Sequence, residues 1–314
     1  MEQEKNIKPN LFIVGAAKAG TTSIYNYLKD HPEVYLSPIK EPNYFNTELK
    51  FKDCRPEIQK SIYLDFDEYF DRETLKEKHF ACFDRKEEYL KLYRDVKEEK
   101  VIGEFSTSYL HSSKAAEEIY NFNEDSKIII ILREPVSRTL SHYHMDLNAG
   151  FNTNNILEDL KNDFNSTKKG YCISNMYIDL SLYYRHVKRY LDVFPKEQIL
   201  FIKFEDLVKN NKTVLEDLYS FLGLNNYEGI NTLNNIHNQT VVPKFKFLVK
   251  VMKFKKIIPR SILMCLKKIK PIFFKKPSKE EISTEIIEYL QNIVLEDFKK
   301  TNELIENHYG NENN

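Results

Sequence analysis

Gly15-Ala-Ala-Lys-Ala-Gly20-Thr-Thr-Ser23 stands between a short apolar run, Leu11-Phe-Ile-Val14, and a stretch of helical spacing over residues 22–29. A continuous apolar run of that length predicts a strand buried on both faces. The segment that follows is then a turn from strand into helix, where unpaired backbone N–H groups and the helix dipole favour a bound phosphate. Its small residues let the backbone come close to the oxygens. A Walker A loop, GxxxxGK(S/T), is the nearest common pattern, but Thr21 and Thr22 follow Gly20 here and the lysine comes earlier, at Lys18. That disfavours an ordinary ATPase or kinase. A turn that merely packs a helix on a sheet is the competing reading of the loop alone.

Similar buried strands recur at Lys127–Leu132 and over residues 198–204, with helical segments between and after them. Strands alternating with helices predict an α/β fold: a central parallel sheet with helices on both faces, of the P-loop-containing nucleotide-binding kind. Residues 181–194 carry Leu182, Tyr183, Val187, Tyr190, Leu191 and Phe194 close to one helical face, and Pro195 ends the run. Residues 213–222 repeat that pattern and stop at Gly223. Residues 50–100 are charged and aromatic with little sheet character, which predicts helices and loops inserted between core strands.

Two groups of residues carry the chemistry. Lys18 in the loop places a cation beside the bridging oxygen of a bound 5′-phosphate group, where charge gathers when that oxygen leaves, and Thr21 and Thr22 add hydroxyl donors. Arg133-Glu-Pro-Val-Ser-Arg138-Thr-Leu-Ser141 follows a strand, so Arg133 sits at a carboxyl end of the sheet, where open α/β sheets bind ligands. A guanidinium fork suits a terminal phosphate. With Pro135 opening a helix, Ser141 falls within its next two turns and can reach the same phosphate. The competing reading has Arg133 neutralise Glu134 or a strand-end carbonyl.

At this point the chain resembles the PAPS-dependent sulfotransferases, whose donor is 3′-phosphoadenosine-5′-phosphosulfate. The resemblance rests on VGAAKAGTTSIYNYL and the DHPEVYLSPIKEPNYF segment that ends at Phe45, and it is strongest for the carbohydrate branch, such as the heparan sulfate N- and 3-O-sulfotransferases and their bacterial relatives. It implies a sulfotransferase-like fold and a 5′-phosphosulfate loop made of Ala17, Lys18, Ala19, Gly20, Thr21 and Thr22. It also implies a 3′-phosphate site at Arg133 and Ser141, with Arg138 structural. The catalytic base it implies is Glu41 in Lys40-Glu-Pro-Asn-Tyr-Phe45, with Glu104 the rival carboxylate. No metal is required. The family's EKxPxY stretch has a lysine near the reaction centre, whereas the matching positions here are Phe105 and Thr107, so Lys40 is a candidate replacement. His142 and His144 lie beside the 3′-phosphate serine and read as structural. A SLYxxxLxxYL helix and an EDL turn extend the resemblance over residues 10–225.

The 47 basic and 47 acidic residues cancel, which argues against nucleic acid as a partner. Between Glu228 and Glu280, however, there is no acidic residue. Lysines interleaved with apolar side chains over 244–276 fit contact with an anionic membrane surface, closure over the nucleotide by Lys244 and Lys246, or a solvated lysine face on a packed helix. Cys54, Cys82, Cys172 and Cys265 are widely spaced and form no CxxC pair, so neither a zinc knuckle nor a disulfide framework is predicted. A reducing compartment fits best. The polar start MEQEKNIKPN has no signal-peptide core and no run is long enough to span a membrane, which predicts a cytoplasmic protein. A single sulfotransferase domain over 1–314 is expected, with its core at 10–225 and a basic loop and C-terminal helix region at 226–309.

The acceptor is expected to be a small molecule or carbohydrate, including a glycolipid, sulfated on oxygen or nitrogen. Two other classes remain: a nucleotide kinase with an atypical P-loop, which would bind ATP with Mg²⁺, and a catalytically silent nucleotide-binding protein. The missing GK pair opposes the first. The intact set Lys18, Glu41, Arg133 and Ser141 opposes the second.

Overall fold

A computed structural model of the chain describes residues 7–152, 155–225, 242–243, 274–275 and 282–310. At its centre lies β1 (Leu11–Gly15), with all five residues buried. The sheet around it contains β2 (Val34–Leu36), β5 (Val101–Phe105), β6 (Lys127–Leu132) and β7 (Ile199–Lys203), in the order β2-β5-β1-β6-β7. Every pairing is parallel, with Leu11 opposite both Gly103 and Lys127, and Ile128 opposite Ile199. Parallel strands need crossovers that cover the sheet, and so β1 and β6 read as unbroken apolar runs. At Gly103 the packing is close: a Cβ there would lie 2.6 Å from Leu36 Cδ2.

A second, two-stranded parallel sheet joins β3 (Ile39–Glu41) to β4 (Lys78–Phe80), with Ile39 opposite Lys78 and Glu41 opposite Phe80. This corrects the expectation of helices and loops alone over residues 50–100. Lys78-His-Phe80 is three residues long and has neither an apolar run nor an alternation, so only its partner reveals it as a strand. The rest of that insertion is helical, with α2 (Pro56–Ile62), α3 (Phe66–Phe70) and α4 (Lys86–Lys91).

Around the main sheet are α1 (Thr21–Lys29), α5 (Ala115–Phe122), α6 (Pro135–Ala149), α8 (Tyr184–Val193), α9 (Phe204–Lys209) and α10 (Asn211–Leu222), while α7 (Ile156–Phe164) packs with apolar residues of α6. Pro135 occupies the first turn of α6, and Glu134 caps it by accepting from Val136 N (2.9 Å) and Ser137 N (2.7 Å). Gly223 ends α10 in the left-handed conformation. The helix expected over 181–194 starts at Tyr184, because Asp179–Ser181 forms a separate 3-10 turn. Tyr183, Val187 and Tyr190 are fully buried, as their spacing requires. The last helix, α11 (Thr284–Gly310), packs on α6 and α8. It buries Ile286, Leu290 and Val294 in a second apolar cluster with Leu140, Tyr143, Leu147 and Tyr177.

Three of the cysteines, distant in sequence, meet in space: Cys54, Cys82 and Cys172 share one small cluster with Leu49 and Ile62, as free thiols. Lys244 and Lys246 lie outside the described residues. Of the 244–276 stretch only Phe274–Lys275 is described, as a short strand antiparallel to Val242–Pro243.

Candidate active site

The chain leaves β1 at Gly15, where its register against β6 shifts, and Ala16 N donates to Ile131 O at 2.6 Å. The loop then makes two left-handed turns. Gly20 has φ +91°, and a Cβ at that position would lie 2.9 Å from the Phe204 ring, so glycine is required for conformation and for space. Lys18 adopts φ +70° despite its side chain, at a cost of about 1 kcal/mol. Arg133 helps hold it there, donating from Nη1 to Lys18 O at 3.1 Å. No side chain caps α1, so its first amides are available to an anion at the centre of the loop.

Lys18 Nζ donates to the Met145 thioether at 3.5 Å, a weak acceptor. Burial lowers the pKa of this ammonium, with Arg133 pushing the same way and Asp146 opposing. On α6, burial in turn lifts the Asp146 carboxyl to about 6, against the pull of a 2.9 Å bond from the Tyr177 hydroxyl and of the Arg55 and Lys18 cations.

Glu41 ends β3 with 5% of its surface exposed. Its Oε2 accepts from Thr107 Oγ1 at 2.9 Å, and that hydroxyl also pairs with the Tyr171 hydroxyl at 2.9 Å. Its Oε1 faces Lys40 Nζ and His79 Nε2, each 3.8 Å away. Lys40 Nζ reaches the phosphate loop as well, donating to Thr22 Oγ1 at 3.1 Å. Burial lowers the Lys40 pKa, opposed by Glu41. Loop threonine, lysine and carboxylate thus form one continuous polar chain, and His79, with 71% of its side chain exposed, stands at its mouth.

At the end of β6, the Arg133 guanidinium lies 4.5 Å from the centre of the Phe204 ring, and its buried Nε has no hydrogen-bond partner among the described residues. An unsatisfied guanidinium donor beside an uncapped helix start fits an anionic ligand. Glu134 caps α6 and Arg133 bonds the loop carbonyl, so the two form no hydrogen bond, and the Glu205 and Glu134 charges act on the guanidinium from a distance. Tyr183 belongs to the core and donates to Arg133 O at 3.0 Å, which fixes the strand end. Ser141 is buried on α6, one turn before Met145. Arg138 is fully buried, bonded to Ser181 Oγ (2.5 Å) and to Tyr177 O, a structural placement.

Glu104, the rival carboxylate, is fully enclosed against Tyr89 and Tyr109. It accepts from Ser106 Oγ at 2.7 Å and from the Tyr89 hydroxyl, and burial pushes it up to about 7. Phe105 is equally buried and packs edge-on against Tyr25. The His142 ring packs on Tyr177 and the His144 ring on Tyr143. Sequence reasoning did not reach His79, Tyr171, Met145 or Asp146. Each is delivered by strand pairing or helix packing and has no motif of its own. Among the described residues, no group of three or more His, Cys, Asp or Glu side chains is placed to hold a metal ion, and no helix is long and apolar enough to cross a membrane.

A parallel sheet with a phosphate loop after its central strand, and an arginine after the strand beside it, defines a P-loop-type nucleotide-binding fold. Residues 8–302 match the model of the sulfotransferase domain, and the chain belongs to that family. It is 25% identical to mouse carbohydrate sulfotransferase 15, over 69% of this chain and 44% of that protein. It is 27% identical to mouse heparan sulfate glucosamine 3-O-sulfotransferase 3A1, over 69% of this chain and 46% of that one. The chain thus spans about half the length of the curated relatives it matches. A crystal structure of a sulfotransferase from Alicyclobacillus acidocaldarius superposes with a TM-score of 0.63 at 25% identity, covering 96% of both chains.

Proposed function

We propose that the protein transfers a sulfuryl group from PAPS to a hydroxyl or amine of a carbohydrate-type acceptor by in-line displacement. The observation that carries this reading is the polar chain from Thr22 through Lys40 to Glu41, which ties a buried carboxylate to the loop that holds Lys18. The donor supplies the sulfuryl group and a bisphosphate leaving group. The loop amides of residues 17–22 bind its 5′ end and Lys18 neutralises charge on the departing oxygen. Arg133 and Ser141 bind the 3′-phosphate. Glu41, oriented by Thr107, takes the acceptor proton. Lys40 fills the role of the family lysine that Phe105 replaces, and holds the sulfuryl oxygens near Thr22.

Thermal unfolding with adenosine 3′,5′-bisphosphate, compared with ADP and with ATP plus Mg²⁺, tests the reading in wild type and Arg133→Ala. Ligand at a hundredfold excess over Kd adds about 2.7 kcal/mol, a rise of several degrees. Protection by the bisphosphate that is lost in Arg133→Ala is the expected result. Protection by ATP with Mg²⁺ and none by the bisphosphate would replace it with a nucleotide kinase.

A further inference from the structure

A cavity of about 360 Å³ opens beyond the C-terminal end of α6, walled by Phe151 and Asn152, by Asp159 and Asp163 of α7, by Asn175, and by Arg55 at the start of α2. Both ends of its wall lead to the reaction centre. Phe151 N donates to Asp146 O at 2.9 Å, and the same turn of α6 sets Met145 against Lys18 Nζ. Opposite, Arg55 N donates to Cys172 O at 3.0 Å, and the preceding residue, Tyr171, shares the Thr107 hydroxyl that holds Glu41.

The lining has the character of a site for hydroxyl groups. Three side-chain atoms of the residues that line it, Arg55 Nε, Asn152 Oδ1 and Asn175 Oδ1, are buried without a hydrogen-bond partner among the described residues. Asn152 is 6% exposed, and its amide nitrogen is spent on Tyr143 O at 3.0 Å, so its carbonyl oxygen is left to accept. Phe151 leaves 44% of its surface exposed, with the Arg55 guanidinium over its ring, 5.7 Å from the centre: exposed apolar surface joined to a forked donor. A flat platform with polar groups converging on its rim suits a ring that is apolar on its face and hydroxylated at its edge. Charge narrows the class. One cation faces two carboxylates, Asp159 and Asp163, so a ring bearing sulfate or carboxylate meets net repulsion, whereas neutral hydroxyls find acceptors and donors.

We infer that this cavity seats an uncharged hydroxylated sugar ring of the acceptor, next to the group that is sulfated, and that the protein selects neutral glycosides over uronate-bearing or sulfated chains. This rests on the sulfotransferase reading above. Sulfate transfer from PAPS is measured with the full chain on lactose and N,N′-diacetylchitobiose, and on a heparosan disaccharide that carries a uronate. Phe151→Ala and Asn152→Leu are compared with wild type, and bisphosphate protection is recorded for each. The neutral disaccharides are expected to be the better substrates, and each variant to raise their KM about tenfold with kcat within twofold. Phe151 is exposed, so its variant reports even if Asn152→Leu fails to fold. Bisphosphate protection combined with an unchanged KM in Phe151→Ala, with preference for the uronate disaccharide, or with no turnover of either neutral disaccharide overturns the cavity assignment alone. Loss of bisphosphate protection in wild type overturns the underlying reading, and the assignment with it.

Discussion

Thr107 donates its hydroxyl to Glu41 Oε2 at 2.9 Å across 66 residues of sequence, two residues after Phe105, which stands where the family pattern has a lysine. The bond leaves Oε1 facing Lys40 and His79 and so decides which oxygen of the carboxylate can take a proton. Removing the carboxylate and removing its support should have different effects. Glu41→Gln is expected to lower kcat by about 10³-fold, with bisphosphate affinity within a few fold of wild type. Thr107→Val removes one hydrogen bond to a charged group and is expected to lower kcat by roughly tenfold, with donor KM unchanged. Steady-state kinetics beside bisphosphate titration separates the two, and full turnover by Glu41→Gln would take the base away from this residue.

Lys18 is a side chain in a conformation that suits glycine. Lys18→Gly relieves a left-handed φ worth about 1 kcal/mol and releases a half-buried ammonium, so the folded state should be no less stable than wild type while sulfate transfer is lost. Urea unfolding together with a transfer assay checks this. A clear loss of stability would show that the loop depends on the lysine for its shape.

Gly20→Ala has the opposite sign. It meets a forbidden φ, and a Cβ 2.9 Å from the Phe204 ring, and should cost roughly 2–4 kcal/mol. Phe204 underlies the Arg133 guanidinium, so the same change is expected to weaken bisphosphate binding as well. Thermal unfolding with and without the bisphosphate reads both effects, and a smaller ligand-induced shift than in wild type is the diagnostic result.

Glu104 links stability to pH. Its carboxyl is pushed up to about 7 when folded, against 4.5 ordinarily, so between those values the folded chain keeps a proton that the unfolded chain has lost. Its contribution is therefore greatest below pH 4.5 and declines as pH rises through 7, by on the order of 3 kcal/mol. Glu104→Gln, a neutral near-isostere, should remove that decline. Urea unfolding from pH 5 to 8 compares the slopes, and identical slopes would show that Glu104 does not hold the proton.

Local pattern was enough for β1, β6 and β7, for the turn at Gly15–Ser23, and for the helices after Pro135 and before Gly223. Each of these is specified by residues near one another in the chain: an apolar run, a proline at a first turn, a glycine after a last one. The family could be read from the loop and from the arginine segment for the same reason, since a strand that hands over to a helix builds an anion site out of consecutive backbone amides. Tertiary structure alone decided the rest. β3 and β4 are three residues each and exist only because they pair, and that pairing carries His79 to Glu41. Both carboxylates are buried, and their surroundings distinguish them: Glu104 lies among tyrosines, Glu41 among Thr107, Lys40 and an exposed histidine. The meeting of Cys54, Cys82 and Cys172, the contact of Met145 with Lys18, and the cavity between Arg55 and Asn152 all join residues far apart in the chain. Such contacts depend on how helices pack on the sheet, and no local sequence pattern encodes them.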